Sequence, residues 1–280
     1  PWPVAVVGAG RVGSALARAL ARAGWPVVAV ACRTAASARR ASRFTGAPAM
    51  RAADAAALGR LVLVAVPDDL VGVVAREIAP WVQRGAVVAH TSGVLSSDAL
   101  APVRRRGARA ASLHPLMTMP SPAAGAEALP GTHFFHEGDR GTAPVLRAMV
   151  KALGGMPVAV SRRGKALYHA GAVLACNDLV ALLDAAFGLF GRAGVPAPRA
   201  RAALAPLVRR TVENVLALGP ARALPGPVAR GDAGTVARHL AALRGRPREL
   251  YLALGRATLD LARLPRPRRA ALARLLESRP

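Results

Sequence analysis

The segment Gly8-Ala9-Gly10-Arg11-Val12-Gly13 spaces three glycines as G-x-G-x-x-G, directly after the apolar run Val4–Val7 and at the head of an Ala/Leu-rich stretch. That context, more than the spacing, ties it to the binding of a dinucleotide pyrophosphate. Gly8 permits a tight turn, Gly10 leaves room for backbone to approach phosphate, and Gly13 lets the next helix pack closely on its strand. The N–H groups of a helix starting at Arg11 and Val12 point at the anion, and the helix dipole favours its charge. Where a site for NAD carries Asp or Glu for the ribose 2′-hydroxyl, at the end of the second strand, this chain reads Ala31-Cys32-Arg33-Thr34. An arginine–phosphate contact is worth about 1.5–3 kcal/mol net. Arg33, helped by the Thr34 hydroxyl, is therefore expected to select the 2′-phosphate of NADP. Two more turns follow apolar runs, Val66-Pro67-Asp68-Asp69 and His90-Thr91-Ser92-Gly93. Ligands gather at the carboxyl ends of strands in open α/β sheets, which puts Val66, Pro67 and Ser92 beside nucleotide and substrate. One of Asp68 and Asp69 is expected to cap the next helix, and Ser92 also reads as a plain turn serine.

Groups placed this way need a sheet behind them. Short β-branched runs at Val4–Val7, Val27–Ala31, Leu61–Val66, Ala86–His90 and Ala108–Leu113 alternate with helical Ala/Arg/Leu stretches, and later strands are expected at His133–His136 and Pro157–Val160. The rhythm predicts an α/β N-terminal domain of Rossmann type, with a mostly parallel sheet. From Arg163 onward the strand signal stops, and helices are expected at about 164–192, 198–218, 232–244, 247–263 and 267–277, an all-α C-terminal domain. The expected division is an NADP-binding domain over 1–162 and a helical substrate or dimerisation domain over 163–280. Pro120, Pro122 and Pro130 mark the stretch 114–132 as a loop crossing between the two halves. Ala170 to Gly191 is apolar on nearly every face yet carries Asn177, Asp178 and Asp184. An Asp at a bilayer centre costs about 2.5–3.5 kcal/mol, so a core or dimer-interface helix is favoured over a membrane span.

Three further motifs occur in order: Ser112-Leu113-His114-Pro115-Leu116, then Tyr168-His169-Ala170-Gly171-Ala172 with Asn177, then Gly226-Pro227-Val228-Ala229-Arg230-Gly231-Asp232. With them the chain resembles, over nearly its whole length, a bacterial group of Rossmann-like proteins whose C-terminal part is catalogued as a domain of unknown function. That group is similar to pyrroline-5-carboxylate reductase, ketopantoate reductase and the β-hydroxyacid dehydrogenases. The resemblance implies NADPH-dependent reduction of a small carbonyl or imine, for instance a 2-oxo acid of the ketopantoate type. It also implies a helical dimerisation domain like the C-terminal part of 6-phosphogluconate dehydrogenase. β-Hydroxyacid dehydrogenases place a catalytic Lys one helical turn before an Asn; here the matching helix starts Arg163-Gly164-Lys165, and one turn on stands His169. Positions i and i+4 share a helix face, so Lys165 and His169 are expected in one cleft, with Asn177 about 80° further round. Reduction builds negative charge on the carbonyl oxygen, which Lys, His or Asn can stabilise or protonate. Lys165 or His169 is the expected proton donor, and His114 or Asn177 the orienting group. Lys165 is one of two lysines, with Lys151, although a surface lysine is the competing reading. In the loop 226–232, Asp232 reads as an N-cap, and Arg230 as a carboxylate ligand or as the partner of Asp232.

The formal charge of +24 raises nucleic-acid binding, but the arginines are spread along the chain and not interleaved with aromatics. Solvated helix faces explain them better, and no nucleic-acid partner is expected. Cys32 and Cys176 stand far apart, which fits a reducing compartment without disulfides. The six histidines show no metal-ligand spacing, and His133 and His136 read as a partly solvated strand edge. The chain opens directly into an apolar strand without a charged leader, so a cytoplasmic location and no membrane partner are expected. Beside the reductase stands a second reading, a non-catalytic NADP(H) sensor acting through its helical domain, which would need no proton donor.

Overall fold

The structure, a computed structural model, describes residues 1–277. Its first half alternates β1 (Val4–Val7), α1 (Arg11–Arg22), β2 (Val27–Ala31), α2 (Ala35–Thr45), α3 (Ala52–Leu58), β3 (Leu61–Val64), α4 (Asp68–Ile78) and β4 (Val87–His90). There follow α5 (Ala101–Arg104), β5 (Arg109–Pro115), α6 (Pro122–Ala128), β6 (His133–Gly138), α7 (Ala143–Ala152) and β7 (Met156–Ala159). The seven strands form one sheet in the order β2-β1-β3-β4-β5-β6-β7. Strands β1 to β5 run parallel, β6 pairs antiparallel with β5, and β7 returns parallel to β6. Central strands of such a sheet are covered on both faces and so are apolar throughout. Every residue of β1, β3 and β4 is buried. Val4 and Val6 enter one core with Leu16 and Leu20 of α1, while Ala5 and Val7 enter the other with Val71 and Ile78 of α4.

The remaining elements are helical: α8 (Lys165–Arg192), α9 (Ala197–Leu218), α10 (Pro220–Ala223), α11 (Gly226–Arg230), α12 (Ala233–Ala242), α13 (Arg246–Leu261) and α14 (Arg266–Glu277). The chain divides into two compact units, Pro1–Asn177 and Asp178–Pro280, with the division inside α8. The second unit has its own core, in which Val236, Leu252, Leu272 and Leu276 of α12, α13 and α14 meet.

The structure differs from five expectations. The first unit runs to Asn177, beyond the expected boundary at 162/163, because polar contacts described below tie the opening turns of α8 to the sheet. The stretch 114–132 does not cross between halves. It holds the end of β5 and α6, which Ser121 caps by accepting from the Ala124 amide, and Gly125 of α6 lies against Ala15 of α1. His136 is no solvated edge residue: β6 is flanked by β5 and β7, and His136 is buried, whereas His133 is exposed. Residues 226–230 form α11, a single turn too short to show a periodicity. Asp232 is the N-cap of α12, accepting from the Thr235 amide at 2.9 Å. Neither Asp68 nor Asp69 caps α4, whose N-cap is Pro67; both lie in its first turn.

Candidate active site

Because β1 to β5 are parallel, the turns after β1, β2, β3 and β4 and the end of β5 lie along one edge of the sheet. After β1, Gly8 has φ +92°, a left-handed conformation costly for any side chain, and a Cβ there would stand 2.6 Å from the Ala65 carbonyl oxygen. A Cβ on Gly13 would collide with the Gly8 carbonyl oxygen, so the first turn of α1 sits directly on the loop. Gly10 differs: a Cβ there would meet nothing within 4 Å. Its side is open, as backbone facing a bound pyrophosphate must be. The Gly8 and Ala9 amides donate to the Ala31 carbonyl at 2.8 and 3.1 Å and hold the loop to β2. Ser14 N–H is the first amide of α1 to bond within the helix, to the Gly10 carbonyl, which leaves Arg11, Val12 and Gly13 as the free first-turn donors.

Beside the loop, a cleft of about 460 Å³ is lined by Gly8, Arg33, Val66 and Leu70, among others, with the dimensions and mixed walls an adenosine needs. Arg33 is exposed at its rim. The Thr34 hydroxyl is engaged as the cap of α2: it accepts from the Ser37 amide at 3.2 Å and donates to Ser37 Oγ at 3.0 Å. Arg40 donates to the same Ser37 Oγ at 2.9 Å. Ser37 is in the first turn of α2 and Arg40 in its second; neither was singled out from the sequence, and their i, i+3 spacing was the available signal. Pro67 is exposed and lies outside this cleft.

At the ends of β4 and β5 a buried polar cluster forms. Lys165, in the first turn of α8, is 1% exposed. Its ammonium donates to the Ser92 carbonyl at 2.9 Å and to Ser112 Oγ at 2.8 Å, which joins α8 to both strand ends. Burial lowers its pKa to about 8, against the pull of the Glu137 and Asp68 carboxylates. The Ser92 hydroxyl accepts from the Leu95 amide at 3.0 Å and so shapes its own turn. His90 is held in the neutral form: Nδ1 accepts from the Ser92 amide at 3.2 Å, Nε2 lies 3.0 Å from the Ser96 carbonyl, and burial lowers its pKa.

One helical turn along α8 from Lys165, the Tyr168 hydroxyl lies 2.7 Å from His114 Nδ1. Its ring stacks on Phe135 with centroids 4.2 Å apart, and the Lys165 ammonium is 5.7 Å from its centroid. Burial raises the Tyr168 pKa to about 12, so it remains a hydroxyl. Burial first, then the Lys165 charge, brings His114 down to about 4, so the imidazole is neutral at physiological pH. His169 meets His114 edge to face at 5.8 Å, and its ring lies so close on Gly93 that no Cβ fits there. His169 Nδ1 is buried without a hydrogen-bond partner. His114, His169 and Asn177 line a cleft of about 380 Å³ together with Leu116, Met117 and Cys176. The structure therefore brings Lys165, His169, His114 and Asn177 to one region, with Lys165 buried behind the cleft wall and the other three on it. Tyr168 and Ser112 complete the cluster. Both stand in the motifs Ser112–Leu116 and Tyr168–Ala172, and the i+3 step from Lys165 to Tyr168 was the signal for the first. No group of three His, Cys, Asp or Glu with metal-ligand geometry occurs among the described residues.

The glycine loop, the parallel sheet and the cleft along one strand edge define a Rossmann-like dinucleotide-binding unit joined to a helical unit. Comparison with known families agrees: residues 2–115 match the Rossmann-like domain, and residues 132–258 match a domain of unknown function (DUF2520), the combination to which the three motifs pointed. No curated protein sequence matches the chain. Among solved structures, a protein from Bacteroides fragilis named provisionally as an NADP oxidoreductase is 24% identical, with 92% of this chain and 98% of that one covered and a TM-score of 0.73. Protein TM1727 from Thermotoga maritima is 25% identical at the same coverage and TM-score. An imine reductase from Myxococcus stipitatus, a variant in complex with NAD+, is 20% identical over 99% of this chain and 100% of its own, with a TM-score of 0.66. At these identities the likeness speaks for the fold.

Proposed function

We propose that the chain is an NADPH-dependent oxidoreductase that reduces a small carbonyl or imine compound and works in the cytoplasm as a homodimer. The observation that carries the reading is the buried Lys165 ammonium, bonded to Ser92 and Ser112 at the same sheet edge as a glycine loop whose Gly10 face is open. Burying an ammonium is costly, and Lys165 is 1% exposed at that edge, the setting in which catalytic lysines are found. The residues fit the dinucleotide: the free amides of Arg11, Val12 and Gly13 suit its pyrophosphate, and the cleft over Val66 and Leu70 suits its adenosine. Arg33, with Ser37 and Arg40 on the first two turns of α2, and the lack of an acid after β2 favour the 2′-phosphate of NADP. Bound there, NADPH supplies the reducing electron pair.

The protein's own groups would then act on the substrate. Lys165 holds a positive charge in a water-poor setting behind the cleft, where it stabilises charge developing on the substrate's oxygen or nitrogen. His169, on the cleft wall, is the donor that meets the substrate. His114 orients it: with Tyr168 donating to Nδ1, the imidazole carries its proton on Nε2. Asn177 offers a further neutral hydrogen bond. The Myxococcus stipitatus enzyme, an imine reductase on the same fold, supports the reaction class.

The test has two parts. NADPH should raise the melting temperature more than NADH, by the increment expected from about 2.7 kcal/mol at a hundred times its Kd. Absence of any shift with NADPH, NADH, NADP+ and NAD+ would defeat the reading. With a turned-over substrate in hand, the rate should fall as pH rises through about 8, where Lys165 loses its proton. Lys165→Met should remove that limb and lower kcat by roughly 10²–10³. His169→Ala should lower kcat by roughly 10²–10⁴.

A further inference from the structure

The cleft at His114 and His169 has no arginine, lysine, aspartate or glutamate among the described residues that line it. Leu116, Met117 and Val173 give it an apolar side, and Asn177, Thr118 and His114 give it neutral polar atoms. The chain has 37 arginines, from 39 basic residues less two lysines, yet no described residue lining this cleft is arginine or lysine. Lys165 is not among the lining residues: it is 1% exposed and spends two of its N–H donors on the Ser92 carbonyl and Ser112 Oγ. His114 cannot stand in for it, because its Nδ1 is paired with the Tyr168 hydroxyl and the buried ring stays neutral. A carboxylate entering such a cleft loses its water and meets no guanidinium or ammonium on its walls. A ketone or imine loses little water and finds the imidazole and amide donors it needs.

We propose that this cleft takes an uncharged ketone or imine with an apolar body, and discriminates against 2-oxo acids and other carboxylates. The inference rests on the reductase reading for the cleft's role, and it narrows the expected substrate away from the ketopantoate type.

A matched pair of probes tests it. 4-Phenylbutan-2-one and 2-oxo-4-phenylbutanoate share one framework, with the ketone's methyl replaced by a carboxylate in the acid. Each is titrated into the full chain, with and without saturating NADP+, while the imidazole signals of 15N-histidine-labelled protein are followed. The ketone should shift the His114 and His169 signals and bind roughly tenfold tighter than the acid, or better. Equal or tighter binding of the acid overturns the proposal, and so does the lack of any shift at these histidines with the ketone. Thr118→Arg, at an exposed wall position, should close or reverse the gap. If that variant still prefers the ketone tenfold, the missing cation is not the cause and the proposal falls. The two readings fail separately. Ketone binding without NADPH oxidation would sink the reductase and keep the selectivity, whereas oxidation of NADPH by the acid in preference to the ketone would do the reverse.

Discussion

Gly10 and Gly13 stand three positions apart in one motif and do opposite jobs, which substitution separates. A methyl on Gly10 meets no protein atom within 4 Å, so Gly10→Ala should lower the unfolding free energy by no more than about 1 kcal/mol, the cost of alanine in place of glycine at the N-cap. It should weaken NADPH binding by roughly tenfold or more, since the methyl occupies the pyrophosphate's place. A methyl on Gly13 runs into the Gly8 carbonyl, so Gly13→Ala should cost about 1–3 kcal/mol in urea unfolding whether or not nucleotide is present. Lys165 makes a residue-scale prediction of its own. Its folded pKa of about 8 lies below its ordinary 10.5, so the unfolded chain holds the proton more tightly. Stability should therefore rise between pH 8 and pH 10.5, and Lys165→Met should abolish that rise in denaturant titrations. The glycine motif was legible in the sequence because its roles are local. The pairing of His114 with Tyr168 was not, since it joins positions 54 apart through two elements whose packing no motif records.

Helix α8 depends on how its first turn is held. Arg162, just before it, reaches three carboxylates: Asp98 at 3.0 Å, Glu137 at 3.4 Å and Asp139 at 3.6 Å. Glu137 is buried and also accepts from Ser97 Oγ at 3.0 Å, while Arg104 binds Asp98 and Asp139 from the other side. Exposed ion pairs contribute little, but Glu137 is shielded from water and Arg162 bridges several acids at once. Arg162→Ala should cost about 1–2 kcal/mol and speed amide exchange in the first turns of α8 more than in α1. Arg162→Lys should recover only part of the loss, because one ammonium cannot replace a planar fork. This latch explains why the first unit includes the start of α8, and why the strands were easier to read than the boundary. Each strand announces itself by a run of apolar residues buried on both faces, as in Leu61–Val64. A helix crossing between units shows the same Ala/Leu pattern on both sides of the crossing. Likewise α6 and α11, of 7 and 5 residues and each with proline in its first turn, read as loops because a proline and a glycine in so short a span leave no periodicity to see.

For the whole molecule, the question is what covers α8 and α9. Leu167 and Leu174 of α8 are 81% and 68% exposed, and Leu207 and Leu216 of α9 are 61% and 82% exposed. Burying a leucine gains about 1.5–3 kcal/mol, a large penalty to leave unrealised at four positions. Among the described residues one stretch, Arg162–Arg192, is also long and apolar enough to cross a membrane, with a mean hydropathy of 1.8. A lipid occupant would have to accept Asp178 and Asp184, and would need the first turns free of the polar contacts that hold Lys165. A second copy requires neither. The net charge of +24 then sets the sign of the salt response. Two like-charged copies repel, and salt screens the repulsion, so the dimer should tighten between about 50 and 300 mM salt. Binding to nucleic acid would weaken over the same range by counterion release. Sedimentation at micromolar concentration should therefore show a dimer that grows with salt, and Leu174→Glu with Leu216→Glu should reduce it to monomer. A monomer at every salt concentration would remove the dimer from the proposed function and return α8 to the bilayer reading, which vesicle flotation would then decide.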